Sequence, residues 1–150
     1  MKQYSFFSVD LIIDGVIIEG FTEKADIITV ERSMDQTTKV MDARGKMIAV
    51  TSVDKSGSFS FDLLQTSDSN KYLQDKALLD QAVGGDGGSS LFVPIQASLV
   101  DRMGADVAVG VSGFITKQPG LVRGNSIVTN TWMIMFEQVN MNRERSIPIQ

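Results

Sequence analysis

The sequence contains neither cysteine nor histidine. The first absence excludes disulfides and thiolate nucleophiles, and the second excludes imidazole acid–base catalysis. Because protein zinc sites are built mainly from these two residue types, the usual zinc ligand sets are excluded as well. A catalytic site would have to be assembled from Asp, Glu, Lys, Ser, Thr or Tyr.

Long apolar runs are also missing. No uncharged stretch approaches the roughly 20 apolar residues that a membrane-spanning helix needs. Near the N-terminus, Ser8 and Asp10 interrupt the apolar residues before they reach the length of a signal peptide. We therefore expect a soluble protein that is made and used in a cytoplasm.

Basic residues are fewer than acidic ones, with 14 Lys and Arg against 18 Asp and Glu, so the formal net charge is −4. An acidic surface repels phosphate, which disfavours a module that binds nucleic acid through its backbone. The length of 150 residues, with 43% apolar and 21% charged residues, is typical of one globular core. We expect a single domain over residues 1–150.

A change of periodicity near residue 66 organises the chain. Phe59, Phe61 and Leu63 alternate with polar residues, which indicates a half-buried strand. The oxygens of the Thr66–Asp68 side chains then suit the start of a helix, predicted over residues 67–83. Further strands are predicted over residues 5–13, 16–21, 27–32, 47–54, 91–100, 107–115 and 131–141. About eight strands and one helix predict a mainly β fold, an antiparallel β-sandwich or barrel with one flanking α-helix.

Turn residues indicate where these strands reverse or bend. Asp14 and Gly15 separate two apolar runs and predict a hairpin through a type I′ turn, which needs positive φ at both positions. Pro94 indicates an edge or a bulge, and Gly110 and Gly113 indicate bends or close backbone approach. The strand over residues 47–54 is predicted to form a hairpin with the strand that contains Phe59.

Residues 34–46 show neither the strand period nor the helix period, and we predict an extended inter-strand loop. Loops of this length are unusual inside a compact domain and are more often functional or disordered. Two interpretations remain open at this point, a flexible surface loop and an arm that becomes ordered against another subunit. The candidate inter-subunit residues are Met34, Asp35, Lys39, Asp42, Arg44 and Lys46.

The last predicted strand is apolar on both faces. One face carries Trp132, Ile134 and Phe136, and the other carries Met133, Met135 and Val139. Because a strand of this kind is covered on both sides, we predict that the first face belongs to the core. Met133 and Met135 are predicted to be covered by an adjacent subunit or by the helix, and are candidate interface residues.

A set of short stretches occurs in order along most of the chain. They are Tyr4-Ser5-Phe6 with Val9 and Asp14-Gly15, Asp54-Lys55-Ser56-Gly57 before Phe59-Ser60-Phe61, Leu64-Gln65-Thr66-Ser67 with Asn70 and Leu73, Phe92-Val93-Pro94-Ile95, Asp101-Arg102-Met103-Gly104, Gly113-Phe114-Ile115-Thr116-Lys117-Gln118-Pro119 and Trp132-Met133-Ile134. Together they resemble a phage tail tube protein of contractile-tailed, myovirus-type phages. That family shares its fold with the tube of type VI secretion systems.

The resemblance implies a structural virion protein and not an enzyme, with no cofactor and no metal. It implies hexameric rings that stack into a hollow tube, through which genomic DNA passes without specific binding during ejection. The implied partners are further copies of the chain, the tail sheath, the baseplate and the tail terminator, with assembly in the host cytoplasm and no membrane contact. A loop that reaches the next ring favours the arm interpretation of residues 34–46.

An acidic lumen would let DNA slide without adhering, in agreement with the net charge. Glu31 and Asp62, on the predicted wet faces of their strands, are the candidate lumen-facing residues. Replacing either by lysine is then predicted to leave the fold intact.

Other functions remain open from the sequence. The chain is alternatively the tube protein of a phage-tail-like bacteriocin or of a secretion system, or a monomeric ligand-binding β-barrel. A third class is an enzyme that uses a carboxylate pair, because Asp10, Asp14 and Glu19 flank the first predicted hairpin. The glycine-rich residues 84–90 are predicted to be a flexible connection, and residues 142–150 a C-terminal tail.

Overall fold

The computed structural model describes residues 5–85, 94–102 and 106–143. Within these ranges a short 3-10 helix, Phe6–Ser8, precedes nine strands and one α-helix. They are β1 (Val9–Ile13), β2 (Val16–Ile17), β3 (Ile28–Arg32), β4 (Thr37–Met41), β5 (Met47–Thr51), β6 (Gly57–Leu64), α1 (Ser69–Gly85), β7 (Ile95–Asp101), β8 (Val107–Lys117) and β9 (Thr129–Asn142). The predicted mainly β class with one helix is confirmed. Residues 86–93 and 144–150, which belong to the predicted connection, strand and tail, lie outside the described residues.

Seven strands form one antiparallel sheet in the order β2-β1-β7-β8-β9-β6-β3. The sheet is open, with β2 and β3 at its two edges, while β4 and β5 form a separate two-stranded sheet. One continuous cluster of buried side chains from β1, β6, β7, β8, β9 and α1 forms the core. Its most deeply buried large members are Trp132, Phe59, Phe61, Phe136, Leu11, Ile13 and Leu63.

The first predicted hairpin is confirmed. Asp14 and Gly15 have φ angles of 50° and 84°, and Ile13 pairs with Val16 across the turn. The strand before it is shorter than predicted, because Ser5 caps the 3-10 turn with its hydroxyl oxygen, which accepts from the N–H of Phe7 at 3.3 Å. Pairing with β7 therefore begins at Val9 and not at residue 5.

The core face of β9 was predicted correctly for Trp132 and Phe136 but not for Val139. Val139 is fully buried, although it was placed on the opposite face with the two methionines. Phe136 pairs with Gly57, whereas the N–H of Val139 donates to the carbonyl of Lys55 at 2.9 Å. Three steps along β9 thus match two steps along its partner, and the extra residue turns Val139 toward the core.

Close backbone approach at Gly110 and Gly113 is confirmed, because the ring of Phe136 covers both. A Cβ atom added at Gly113 would lie 2.4 Å from that ring, and one at Gly110 would lie 2.7 Å from it. Between them Ser112 has a φ of 57°, and the β7–β8 register shifts opposite the start of β7. The irregularity predicted from Pro94 therefore lies next to it, although β7 is an internal strand and not an edge.

Two predictions around residues 34–54 are wrong. Residues 37–41 are a strand rather than part of a structureless loop, and β5 pairs with β4 rather than with β6. The connecting turn is held by Asp42, whose Oδ1 accepts from the N–H groups of Arg44 and Lys46 at 2.9 and 2.8 Å. Every residue of β4 and β5 is exposed, and apolar residues lie on both faces, with Val40, Ile48 and Val50 on one and Met41 and Met47 on the other. The period-two signal is therefore weak.

Candidate assembly interfaces

Residues 37–51, the hairpin formed by β4 and β5, make up a segment that we call the arm. The pairing of Val40 with Ile48, and of Thr38 with Val50, places these four side chains on one face of the arm. The three aliphatic side chains of this face are each about half exposed. The arm thus presents a row of β-branched apolar groups that nothing in the described protomer covers.

The six residues predicted at an inter-subunit loop all lie in or beside the arm, and all are exposed. Asp42, Arg44 and Lys46 belong to the turn at its tip, and Lys39 lies on the face opposite Val40. Asp35 and Met34 precede β4 at its base. Their contact with another subunit stays a prediction, and the apolar face of the arm is the feature that the sequence reasoning missed.

A second exposed apolar surface lies on the sheet face that points away from the core. Phe114 of β8 pairs with Met135 of β9, and Met133 lies two residues further along the same face. We call these three residues the outer patch. Met133 is 41% exposed, so neither α1 nor another described segment covers it. Glu31 on β3 shares this face, because it pairs with Ser58, which in turn pairs with Met135.

The solvated position predicted for Asp62 is wrong. Asp62 is only 4% exposed, whereas Glu31 is exposed as predicted. The carboxylate of Asp62 accepts from the hydroxyl of Thr131 at 2.6 Å and forms an ion pair with Lys24. The alternation of β6 placed Asp62 opposite the core, but the Lys24 segment folds over that face, and period two alone gives no sign of it.

Asp62 therefore has a structural role, and we expect Asp62→Lys to destabilise the fold. The change removes the acceptor of Thr131 and places a second amine beside Lys24 at a position that is only 4% exposed, and leaving a buried hydrogen-bonding group without its partner costs about 1–3 kcal/mol. Glu31→Lys is the matched control, with an expected change within about 0.5 kcal/mol because its side chain is exposed. Urea unfolding followed by circular dichroism measures both, and equal stability of the two variants would contradict the assignment.

Two of the three carboxylates considered for acid–base chemistry, Asp10 and Asp14, are held by different cations. Asp14 accepts from the N–H of Gln96 at 2.9 Å and from Lys76 Nζ at 2.5 Å, while Asp10 lies 3.3 Å from the guanidinium of Arg102. Burial lowers the pKa of Lys76, but its hydrogen bond and charge interaction with Asp14 outweigh that effect and raise the pKa above its usual value. These ion pairs tie α1 and the end of β7 to the first hairpin instead of forming a catalytic pair.

The described part of the chain holds no group of three or more Asp or Glu side chains arranged to bind a metal ion. Among the same residues, no helix has the length and apolar character needed to cross a membrane. The exposed features of the described residues include the arm, the outer patch and the edges of the sheet.

The fold is shared with components of contractile injection systems. A chain of the sheath–tube complex of the extracellular contractile injection system PVC, in its extended state, has a TM-score of 0.58 at 12% identity, with 94% of this chain and 92% of that chain covered. A chain of the PVC sheath/tube terminator has a TM-score of 0.56 at 14% identity, covering 95% and 98%. A chain of the anti-feeding prophage tube-terminating cap has a TM-score of 0.51 at 13% identity, covering 95% and 94%. Identities this low show the shared fold alone.

The sequence itself identifies the family. Residues 1–143 match the family model described as bacteriophage PhiTE tail tube protein. The chain belongs to this tail tube protein family, and the resemblance stated from its motifs is confirmed. A comparison with curated proteins gives no match.

Proposed function

We propose that this tail tube protein assembles as hexameric rings that stack into a hollow tube, through which DNA passes during ejection. Its partners in this proposal are further copies of itself, a surrounding sheath, a baseplate and a tube terminator. The similarity in fold to chains of a sheath–tube complex and of a tube terminator supports this set of partners. The protein is then a structural component of the virion, assembled in the host cytoplasm, and not an enzyme.

The observation that carries the proposal is the uncovered arm. An isolated two-stranded hairpin is marginally stable in water, and this one exposes Val40, Ile48 and Val50 on one face. Its main contacts within the described protomer are those between its own two strands. A neighbouring copy that covers this face would bury the apolar row and stabilise the hairpin. In a family of tube-forming proteins, that neighbour is another subunit of the tube.

The open edge at β3 supports lateral joining of subunits. The carbonyl of Ile27 accepts from Asp62 N–H and the N–H of Ser33 donates to Ser56, so alternate residues of β3 face β6. The N–H and C=O groups of Ile28, Val30 and Arg32 therefore point away from the sheet. An edge of this kind is an aggregation risk in a monomer, but in a closed ring each edge is paired with a neighbour.

The charge of the protein suits a conduit for DNA. The net charge of −4 disfavours adhesion to phosphate, and Glu31 is the exposed member of the two candidate lumen residues. We propose that Glu31, which is exposed on β3, contributes to the lumen. A tube of an injection system or of a phage-tail-like bacteriocin would have the same subunit architecture, with a different cargo or none.

Sedimentation velocity and negative-stain microscopy of the purified chain test the proposal. We expect rings with six-fold symmetry at low protein concentration and tubes at high concentration. A protein that sediments as a monomer at all concentrations, with no rings in the images, would contradict assembly and favour the monomeric ligand-binding barrel. Rings of another symmetry would agree with assembly into a tube but would contradict six subunits in each ring.

A further inference from the structure

We propose that consecutive subunits along the tube are joined by a peg and a cleft at opposite ends of the β8–β9 pair. The peg is the β8–β9 loop, residues 118–128. The cleft is the open end of the core, lined by Phe6, Val9, Val30, Leu99, Ala108 and Met141. The occupant of the cleft is the peg of a second copy of this chain. This inference rests on the proposed tube, and it names the elements that make one axial contact.

The peg is a firmly based loop with an uncovered apolar tip. At its base, Gln118 accepts from the side-chain amide of Gln74 at 2.7 Å, and Gln65 exchanges hydrogen bonds with the backbone of Val128 at 3.0 and 3.2 Å. Beyond this base, Leu121 is 84% exposed and Val122 is also exposed. The tip of a surface loop is usually polar. Here the base is fixed by hydrogen bonds and the tip exposes two aliphatic side chains to water, which indicates a contact surface.

The cleft is an apolar opening of about 400 Å³ at the other end of the molecule. Val30 of the edge strand β3 lies on one side, and Val9 of β1 lies on the other. The sheet therefore curls until its two edge regions face each other across the cleft. Its volume is sufficient for more than one aliphatic side chain, and burying such a side chain stabilises a contact by about 1.5–3 kcal/mol.

The two surfaces are arranged for a repeating head-to-tail contact. β8 runs from the cleft at Val107 and Ala108 to the peg after Lys117, which is about 33 Å along an 11-residue strand. β9 runs back from the peg to Met141 at the cleft. A contact between opposite ends of identical molecules is heterologous, and it extends without limit when it repeats along an axis.

Charge and position also favour the same partner. The segment from Lys117 to residue 128 contains Lys117 and Arg123 and no acidic residue. The charged residues of the cleft lining are Asp101, Asp106, Lys24 and Arg143, and because Lys24 is paired with Asp62 outside the lining, the other three have a formal net charge of one negative. In addition, the arm leaves the sheet between β3 and β6 at the end where Gly57 pairs with Phe136, which is the cleft end. The arm and the cleft of one copy therefore face the same neighbour.

Cysteine cross-linking tests the contact directly, because the natural sequence has no cysteine. The double variant Leu121→Cys and Met141→Cys is assembled into tubes, oxidised and run on a denaturing gel without reductant. We expect a ladder of covalent oligomers longer than dimers. Each single variant supplies one sulfur for each chain, so it can give dimers at most.

A charge variant supplies the second readout. Leu121→Asp is expected to raise the protein concentration needed for tubes by about tenfold or more, since an apolar side chain no longer fills the cleft. Asn125→Asp is the matched control, with the same change of charge in the same exposed loop and normal tube formation expected. Melting curves of both variants should match that of the natural protein.

The outcomes separate this inference from the proposed function. Tubes that form normally with Leu121→Asp, or tubes of the double-cysteine variant that give no ladder, overturn the peg and cleft while the tube remains. Failure of the natural sequence to form any ring or tube overturns the proposed function instead.

Discussion

Replacing Trp132 by alanine is expected to lower the free energy of unfolding by about 3–5 kcal/mol, enough to leave much of the protein unfolded or insoluble. The side chain is almost fully buried on β9, where it pairs across the sheet with Phe61. Its indole N–H donates to the Oδ1 of Asn70 at 2.9 Å, and the Nδ2 of Asn70 donates to the carbonyl of Leu64 at 2.7 Å. Trp132 thus fills the core and also fixes the start of α1 against the sheet.

The neighbouring position on the same strand is the control. Met133 points to the outer patch, and Met133→Ala is expected to change the stability of the protomer by no more than about 0.5 kcal/mol. Trp132→Phe should be intermediate, because a ring remains in the core while Asn70 loses its donor. Urea unfolding monitored by far-ultraviolet circular dichroism ranks the three variants. A cost below 1 kcal/mol for Trp132→Ala would show that the β9 core face is not the centre of the fold.

The parts of the fold that could be predicted from the sequence are those where one face of an element is buried in the protomer itself. Phe59, Phe61 and Leu63 alternate with smaller polar residues and lie in the core as predicted. Asp14 and Gly15 determine their turn through backbone conformation alone, so the first hairpin was predicted without any tertiary information.

The errors have a common physical cause, which is that the deciding contact is distant in sequence. Asp62 follows the alternation of β6, but Lys24 covers it from a segment nearly forty residues earlier. Val139 leaves the alternation of β9 because its backbone pairs with Lys55 in a different register. The cleft is formed by strands that are distant in sequence, so no local pattern in the sequence predicts it.

Strand β4 of the arm and its pairing with β5 were missed for a different reason. Apolar residues lie on both faces of the arm and neither face is buried in the protomer, so Val40, Ile48 and Lys39 are all exposed. A binary pattern reports burial, and burial of these residues would come from another molecule. The same reasoning applies to Met133 and Met135, whose apolar character on an outer face was readable from the sequence while their partner was not.

The second large effect is expected from the arm, whose removal should abolish tubes while leaving the protomer folded. The N–H of Ser52 donates to the carbonyl of Gln36 at 2.8 Å, so the two ends of the arm are adjacent and two glycines can replace residues 37–51. Because the arm mainly contacts itself, the variant should melt within a few degrees of the natural protein. Sedimentation should then show protomers or single rings and no tubes. Tubes of normal length and stability from this variant would contradict the role of the arm.

A single substitution locates the contact on one face of the arm. Ile48→Asp places a charge in the apolar row beside Val40, and losing one central contact of an interface costs about 2 kcal/mol or more, a factor of about thirty in association. Ala49→Asp is its neighbour on the opposite face, also exposed in the protomer and identical in charge change. If the β-branched row is the surface that a neighbouring subunit covers, Ile48→Asp should prevent tube formation at concentrations where Ala49→Asp still permits it. The reverse order would place the contact on the Lys39 face, and equal tube formation by both variants would show that neither face of the arm is buried in the tube.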